Sequence, residues 1–281
     1  MSQTCIIFGN CQCSGVKKFL EYSNFYEKYT IHQYANWELI KDNKMLIPIQ
    51  QLENADLIIY QPLSDIYNCY STNKSNPESF FNLLSEKTKT ISFPRIHNNG
   101  IFPIFHKDSS RNYIYGKINN MPNTVEKLVN MYDNYELDFD FENRMLNNYN
   151  ISVEKEKETD IKIIDTIYSN IKSHKLFLTQ DHPTSFVFNN LTKQISDILD
   201  LEYNYESAQI VDENITGLRD SIYHKENNQY PISQYAQKYF NFEYTNINES
   251  TEDIEIDKQI ENKDTNNFYK DIVIDYYFKN I

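Results

Sequence analysis

Thr4-Cys5-Ile6-Ile7-Phe8-Gly9-Asn10-Cys11-Gln12 is a short apolar run that stops at a glycine and turns abruptly polar. Thr4 to Phe8 has the length and unbroken apolarity of a buried strand. From about Ser14 to Tyr22, Val16, Phe19 and Leu20 recur at helical spacing. A strand, a glycine turn and a helix thus open the chain, and the alternation continues outward. Ile31 to Tyr34 reads as a second strand and Trp37 to Lys44 as helical. Asp56-Leu57-Ile58-Ile59-Tyr60-Gln61 is the clearest strand, stopped by Pro62. Asn76-Pro77-Glu78 opens a helix through Leu84, with Pro77 suited to its first turn. Thr90 to Phe93 is a further strand, stopped by Pro94.

Strands alternating with helices predict an α/β fold: a small, mostly parallel sheet flanked by helices, with an SGNH- or flavodoxin-like core. Later segments are helix-rich. Asn123–Tyr135, Phe139–Asn148 and Val153–Ser173 read as helices, the charge run Glu154 to Asp160 being the solvated start of the last. Leu176 to Thr179 is a short strand, and a helix follows to about Leu199. Beyond Tyr205 the pattern weakens. Ile232–Phe240 is helical, Asn248–Asn267 is a polar, acidic loop, and Phe268–Ile281 returns as helix or strand. The expected division is an α/β catalytic domain over residues 1–204, with residues 205–281 as a C-terminal extension packing on it.

Composition narrows the functions. With 40% hydrophobic and 15% aromatic residues the chain folds, and a net charge of -13 repels nucleic-acid backbones. No apolar stretch approaches the ~20 residues that span a bilayer, and the N-terminus lacks the pattern of a signal peptide. Of the four cysteines, Cys5, Cys11, Cys13 and Cys69, the pair in Cys11-Gln12-Cys13 is too tight for a comfortable structural disulfide, and no second Cys or His pair lies at zinc-finger spacing. Free thiols in a reducing, cytoplasmic setting and no bound metal are the expectation. Gly9 and Gly15 are spaced one residue too widely for a phosphate loop, and Val16 stands where its lysine would be.

In a parallel sheet, ligands bind beyond the carboxyl ends of the strands. Polar clusters occupy those ends: Gly9-Asn10-Cys11-Gln12, Gln61-Pro62-Leu63-Ser64-Asp65, Pro94-Arg95-Ile96-His97 and Gln180-Asp181-His182-Pro183-Thr184. Cys11 lies at a helix N-terminus, where backbone N–H groups and the helix dipole favour a thiolate and can hold an oxyanion. Asn10 and Gln12 offer amide donors, and Gly9 lets a ligand approach the backbone. A nucleophile or acceptor hydroxyl needs a base. Of the six histidines, His182 is the best placed, between a strand end and a helix that Thr184 caps. Asp181 is a candidate to orient its imidazole. Arg95 and His97 suit anionic phosphates, and Ser14 and Gln61 complete the residues expected to bind a cofactor. Ser64 and Asp65 either line the site or cap the next segment. His32, His106, His174 and His224 have no supporting context.

These motifs, with Phe93-Pro94 running to Gly100-Ile101-Phe102-Pro103 and with Tyr230-Pro231-Ile232 through Phe240, resemble the WcbI-type polysaccharide biosynthesis proteins over most of the chain. The resemblance implies coenzyme A binding and acetyl transfer from acetyl-CoA to a sugar amine or hydroxyl, a nucleotide-linked sugar included, in surface-glycan assembly. It implies that Cys11, Gln12 and His182 line the reaction centre, and that Arg95, His97 and Arg144 meet phosphates. Two routes are open: Cys11 takes the acetyl group and passes it on, or His182 deprotonates the acceptor for direct attack. Two other functions fit the same turns, an SGNH-like cysteine thioesterase or esterase and a non-catalytic module that binds coenzyme A or glycan. Homo-oligomerisation is left open.

Overall fold

The structure, a computed structural model, describes residues 2–40, 45–102, 104–106, 113–115, 118–214, 232–244 and 265–280. Lys44, Pro103, His224, Tyr230, Pro231 and residues 248–264, which entered the sequence reading, lie outside the described residues.

The chain begins with β1 (Gln3–Gly9) and α1 (Gln12–Phe19), followed by a 3-10 turn over Leu20–Tyr22. α1 starts two residues before its apolar pattern does, because the Asn10 Oδ1 accepts the Gln12 N–H at 2.9 Å. Then come β2 (Tyr29–Ala35), β3 (Leu57–Tyr60) and β4 (Lys89–Ser92). The later elements are α2 (Val125–Asp133), α3 (Phe141–Glu156), α4 (Ile164–Asn170) and β5 (Phe177–Thr179). A two-residue strand, β6 (His182–Pro183), precedes α5 (Ser185–Ile198). Helices α6 (Tyr205–Asn214), α7 (Gln234–Phe240) and α8 (Thr265–Asn280) complete the described chain.

These elements form two compact units that interleave along the sequence. The first contains Met1–Ile96, Ser152–Ile167 and His182–Asn227; the second contains His97–Ile151, Tyr168–Asp181 and Asn228–Ile281.

The first unit holds a four-stranded, all-parallel sheet in the order β2-β1-β3-β4. Ile6, Phe8 and Ile58 point to one face and pack with Leu52, Tyr70 and Phe80. The alternating residues Cys5, Ile7, Leu57 and Ile59 are equally buried. Burial on both faces is why these strands read as unbroken apolar runs. α1 packs on β1 and on α5. Gly15 makes that helix contact close, since a Cβ there would lie 2.4 Å from the Phe188 ring. The strand order reverses beside β1, so the crevice between the carboxyl ends of β1 and β3 is the topological switch point.

The second unit is held by aromatic packing. Tyr235 of α7 stacks among Tyr132, Tyr135 and Phe139, and its hydroxyl donates to the Tyr132 carbonyl at 2.9 Å. Lys270 of α8 reaches Asp133 of α2 at 2.7 Å.

Several segments differ from their sequence reading. Only Asn36–Leu39 of the Trp37 helix is seen as helix among the described residues. Asn76 to Leu84 is not an α-helix. The Asn76 Oδ1 accepts the Glu78 N–H, which makes Pro77 part of a side-chain-closed turn. Ser79 then caps a single 3-10 turn, Phe80–Leu83, that turns Phe80 and Phe81 into the core. The Glu154–Asp160 charge run ends α3 instead of starting the next helix. Thr159 Oγ1 donates to the Glu156 and Ile161 carbonyls, and the Asp160 Oδ2 accepts both the N–H and the hydroxyl of Ser92 at 2.7 Å. The Glu156 carboxylate caps α4, accepting from Ile163 and from Ile164 at 2.8 Å. Those bonds break the helix, and Ser92, the partner of Asp160, is remote in sequence. The segment after Phe268 is helix.

Candidate active site

The turn after β1 is tied down by side-chain amides. The Gln61 Oε1, at the end of β3, accepts the Asn10 N–H at 2.9 Å. The Gln61 Nε2 donates to the Gln12 Oε1 at 2.9 Å. Gln12, fully buried, meets the Ile96 peptide at both ends: it accepts the Ile96 N–H at 3.1 Å and donates to the Ile96 carbonyl at 2.6 Å. One connected set of amides thus joins the exits of β1, β3 and β4. Gly9 makes room for it, because a Cβ there would lie 2.8 Å from the Gln61 Oε1 and 2.7 Å from the Cys13 Sγ.

Two details depart from the sequence reading. Gln12 is enclosed, and both ends of its amide are engaged. The N–H groups of the first helical turn are also occupied: Gln12 donates to Asn10 Oδ1, Cys13 to the Asn10 carbonyl and Ser14 to the Cys11 carbonyl. The Ser14 hydroxyl accepts from Gln33 of β2 at 3.0 Å.

Cys11 stands at the N-cap of α1 in helical conformation and is half-buried. All four cysteines are free thiols. Burial pushes the Cys5 and Cys13 thiols far up, and the charge of Cys11 adds to the effect at Cys13. Burial also raises Cys69, which is only partly enclosed. Reactivity at Cys5 and Cys13 is thereby suppressed, whereas Cys11 is reachable.

His182, in the same unit as Cys11, is half-buried, and Thr184 stands at the N-cap of α5. Gly15 lies one turn into α1 and Phe188 one turn into α5, so the contact between them brings the starts of both helices together. Arg95 is exposed after β4.

In the second unit, the Asp181 Oδ1 is 2.9 Å from the His97 Nδ1. Asp181, expected to orient His182, thus holds His97. Arg144 donates its Nε–H to the Phe139 carbonyl at 2.5 Å. Ser64 precedes a 3-10 segment without capping it through its side chain, and Asp65 accepts from Ser71, Asn73 and Asn76. Those bonds hold the Asp65 carboxyl below the usual range and give it a loop-closing role.

The Ile96 peptide was not visible as a site element in the sequence, because a backbone group has no residue-type signature. Among the described residues, no cluster of three His, Cys, Asp or Glu could hold a metal ion. None of the described helices is long and apolar enough to cross a membrane.

Comparison with known proteins adds family and fold. Residues 4–204 match the family described as polysaccharide biosynthesis enzyme WcbI. No curated protein matches the chain. A solved structure of WcbI, described as a novel polysaccharide biosynthesis enzyme in its native form without a disulfide between coenzyme A and one of its cysteines, is similar in fold. Its TM-score is 0.56 at 17% identity, over 73% of each chain.

Proposed function

The chain belongs to the WcbI family of polysaccharide biosynthesis enzymes, and from that premise we propose that it transfers an acetyl group from acetyl-CoA to a hydroxyl or amine of a sugar, free or nucleotide-linked, in surface-glycan assembly. The observation that carries this reading is Cys11: a reachable thiol at the β1–α1 turn, at the carboxyl end of a parallel sheet, beside the switch point. The coenzyme A named for the related WcbI structure supports the choice of acyl donor.

In the covalent route, the Cys11 thiolate attacks the thioester carbonyl. The carbon–sulfur bond to coenzyme A breaks, and the coenzyme leaves as a thiol after taking up a proton. The acceptor hydroxyl or amine then attacks the acetyl-cysteine carbonyl, His182 takes its proton, and the Cys11 thiolate is released. In direct transfer, His182 performs the same deprotonation and the acceptor attacks acetyl-CoA itself. Arg95, exposed in the same unit, suits a phosphate of the coenzyme. Gly9 and Asn10 shape the turn that carries Cys11.

Titration with coenzyme A tests the donor: folding stability rises by about 2.7 kcal/mol at a hundredfold excess over Kd. No thermal shift at millimolar coenzyme overturns the reading. Acetate release at equal rate without any sugar makes the protein a thioesterase instead. An acetyl adduct on the Cys11 peptide, seen by mass spectrometry and absent in Cys11→Ala, supports the covalent route. Near-full transfer by Cys11→Ala leaves direct transfer through His182.

A further inference from the structure

The amides around Cys11 have a direction. The backbone of Ile96 presents an N–H and, from the next peptide group, a C=O that cannot be interchanged, so it dictates which end of the Gln12 amide is oxygen. Rotating Gln12 by half a turn would set donor against donor and acceptor against acceptor. With Gln12 fixed, its Oε1 requires a donor from Gln61, which must present Nε2. That leaves the Gln61 Oε1 for the Asn10 N–H. The Asn10 side chain in turn closes on the Gln12 N–H. Both neighbours of Cys11 are therefore held by one buried chain of hydrogen bonds that begins on the loop after β4. Gly9 supplies a second, steric observation, since any side chain there would collide with the Gln61 amide.

We propose that Gln12 and Gln61 are positioning residues: a directional amide relay that transmits the polarity of the Ile96 peptide to the Cys11 turn and sets the reactivity of that thiol. The proposal rests on the reading of Cys11 as the reactive group, but it assigns the two glutamines a role inside the protein and away from the ligand. A relay of this kind is worth more buried than exposed, because a mismatched amide in the interior keeps its full desolvation cost.

Gln61→Glu tests the direction while preserving shape. Its ionised carboxylate still accepts the Asn10 N–H but sets a second acceptor against the Gln12 Oε1. When protonated, the carboxyl donates to that oxygen and restores the relay. Burial and the facing oxygen both raise the pKa of the introduced group, so it titrates above the ordinary carboxylate range. At pH 8 the variant alkylates Cys11 with iodoacetamide at least tenfold more slowly than the wild type, resolved by peptide mass spectrometry. Its kcat falls by a similar factor, with KM for acetyl-CoA within threefold. As pH falls toward 5, the ratio of variant to wild type returns toward one. Gln61→Leu, which cannot be protonated, shows a deficit that does not change with pH.

Equal deficits at every pH in both variants, or wild-type reactivity of Gln61→Glu throughout, overturn the relay. Alkylation is read with no acyl donor present, so it decides the relay even where the wild type transfers no acetyl group and the functional reading fails. For the case in which Gln61→Glu does not fold, side-chain amide hydrogen exchange in the wild type decides: slow exchange at Gln12 and Gln61 supports the relay, and solvent-like exchange overturns it.

Discussion

The amide-linked turn around Cys11 and the His97–Asp181 pair are built on opposite principles. At the turn, Gln12 is fully buried, and each end of its amide meets a partner of complementary polarity. The His97–Asp181 pair is one bond between side chains that remain 35% and 28% exposed. Water competes for a pair this exposed. Nothing replaces a lost partner at the turn. The difference teaches where rigidity is concentrated: in neutral amides at the exits of the central strands, and not in the half-exposed His97–Asp181 contact that a search for charged motifs would favour.

The comparison breaks first at Gln12. Gln12→Leu keeps the volume but leaves the Ile96 N–H, the Ile96 carbonyl and the Gln61 Nε2 without partners. A loss of about 3–5 kcal/mol is expected, read as a shift in the urea midpoint. A loss under about 1 kcal/mol would show that the turn is no more cooperative than the pair. The thiols sharpen the contrast next. In the native protein Cys11 and Cys69 alkylate about a hundredfold faster than Cys5 and Cys13, which burial keeps protonated. Peptide-resolved mass spectrometry at pH 8 measures this, and comparable labelling of Cys13 would mean that the turn opens.

Gly15→Ala probes the seat of the turn, pressing a methyl into the Phe188 ring. Overpacking of this kind costs about 1–3 kcal/mol. Phe188→Leu in the same chain recovers part of it, and additive losses would disprove the contact. The smallest effect belongs to the pair: Asp181→Asn changes stability by less than about 1 kcal/mol, measured by thermal unfolding at low and at 0.5 M salt, a concentration at which charges are screened within about 4–5 Å.

The sheet was legible in the sequence because the apolar runs Cys5–Phe8 and Leu57–Ile59 are buried on both faces, and hydrophobicity records burial directly. Glycine and proline marked where the strands end. The same logic failed at Asn76–Leu84 and at Glu154–Asp160. There the backbone follows side-chain hydrogen bonds, local at Asn76 and Ser79 and remote in sequence where Asp160 meets Ser92, and hydrophobic pattern records neither.

At the candidate site the outcome divides similarly. Residue chemistry and position singled out Cys11 and the polar turns after β1, β3 and β4, whereas the Gln180–Thr184 cluster does not follow a strand of the parallel sheet. Which carboxylate serves which imidazole was a matter of tertiary structure. Asp181 adjoins His182 in the chain, yet its Oδ1 lies 2.9 Å from the Nδ1 of His97, a partner remote in sequence that only folding brings to it.

By itself, the sequence determined the parallel sheet, the glycine turn at Gly9 and the thiol that follows it. All three depend on local pattern and on the unbroken apolarity of doubly buried strands. Only the tertiary structure decided that Gln12 faces inward, that Gln61 must present its oxygen to Asn10, and that the two compact units draw on discontinuous stretches of chain. The direction of a buried amide is set by the partners folding brings to it, and the ones that set it here, Ile96 and Gln61, are supplied by other strands.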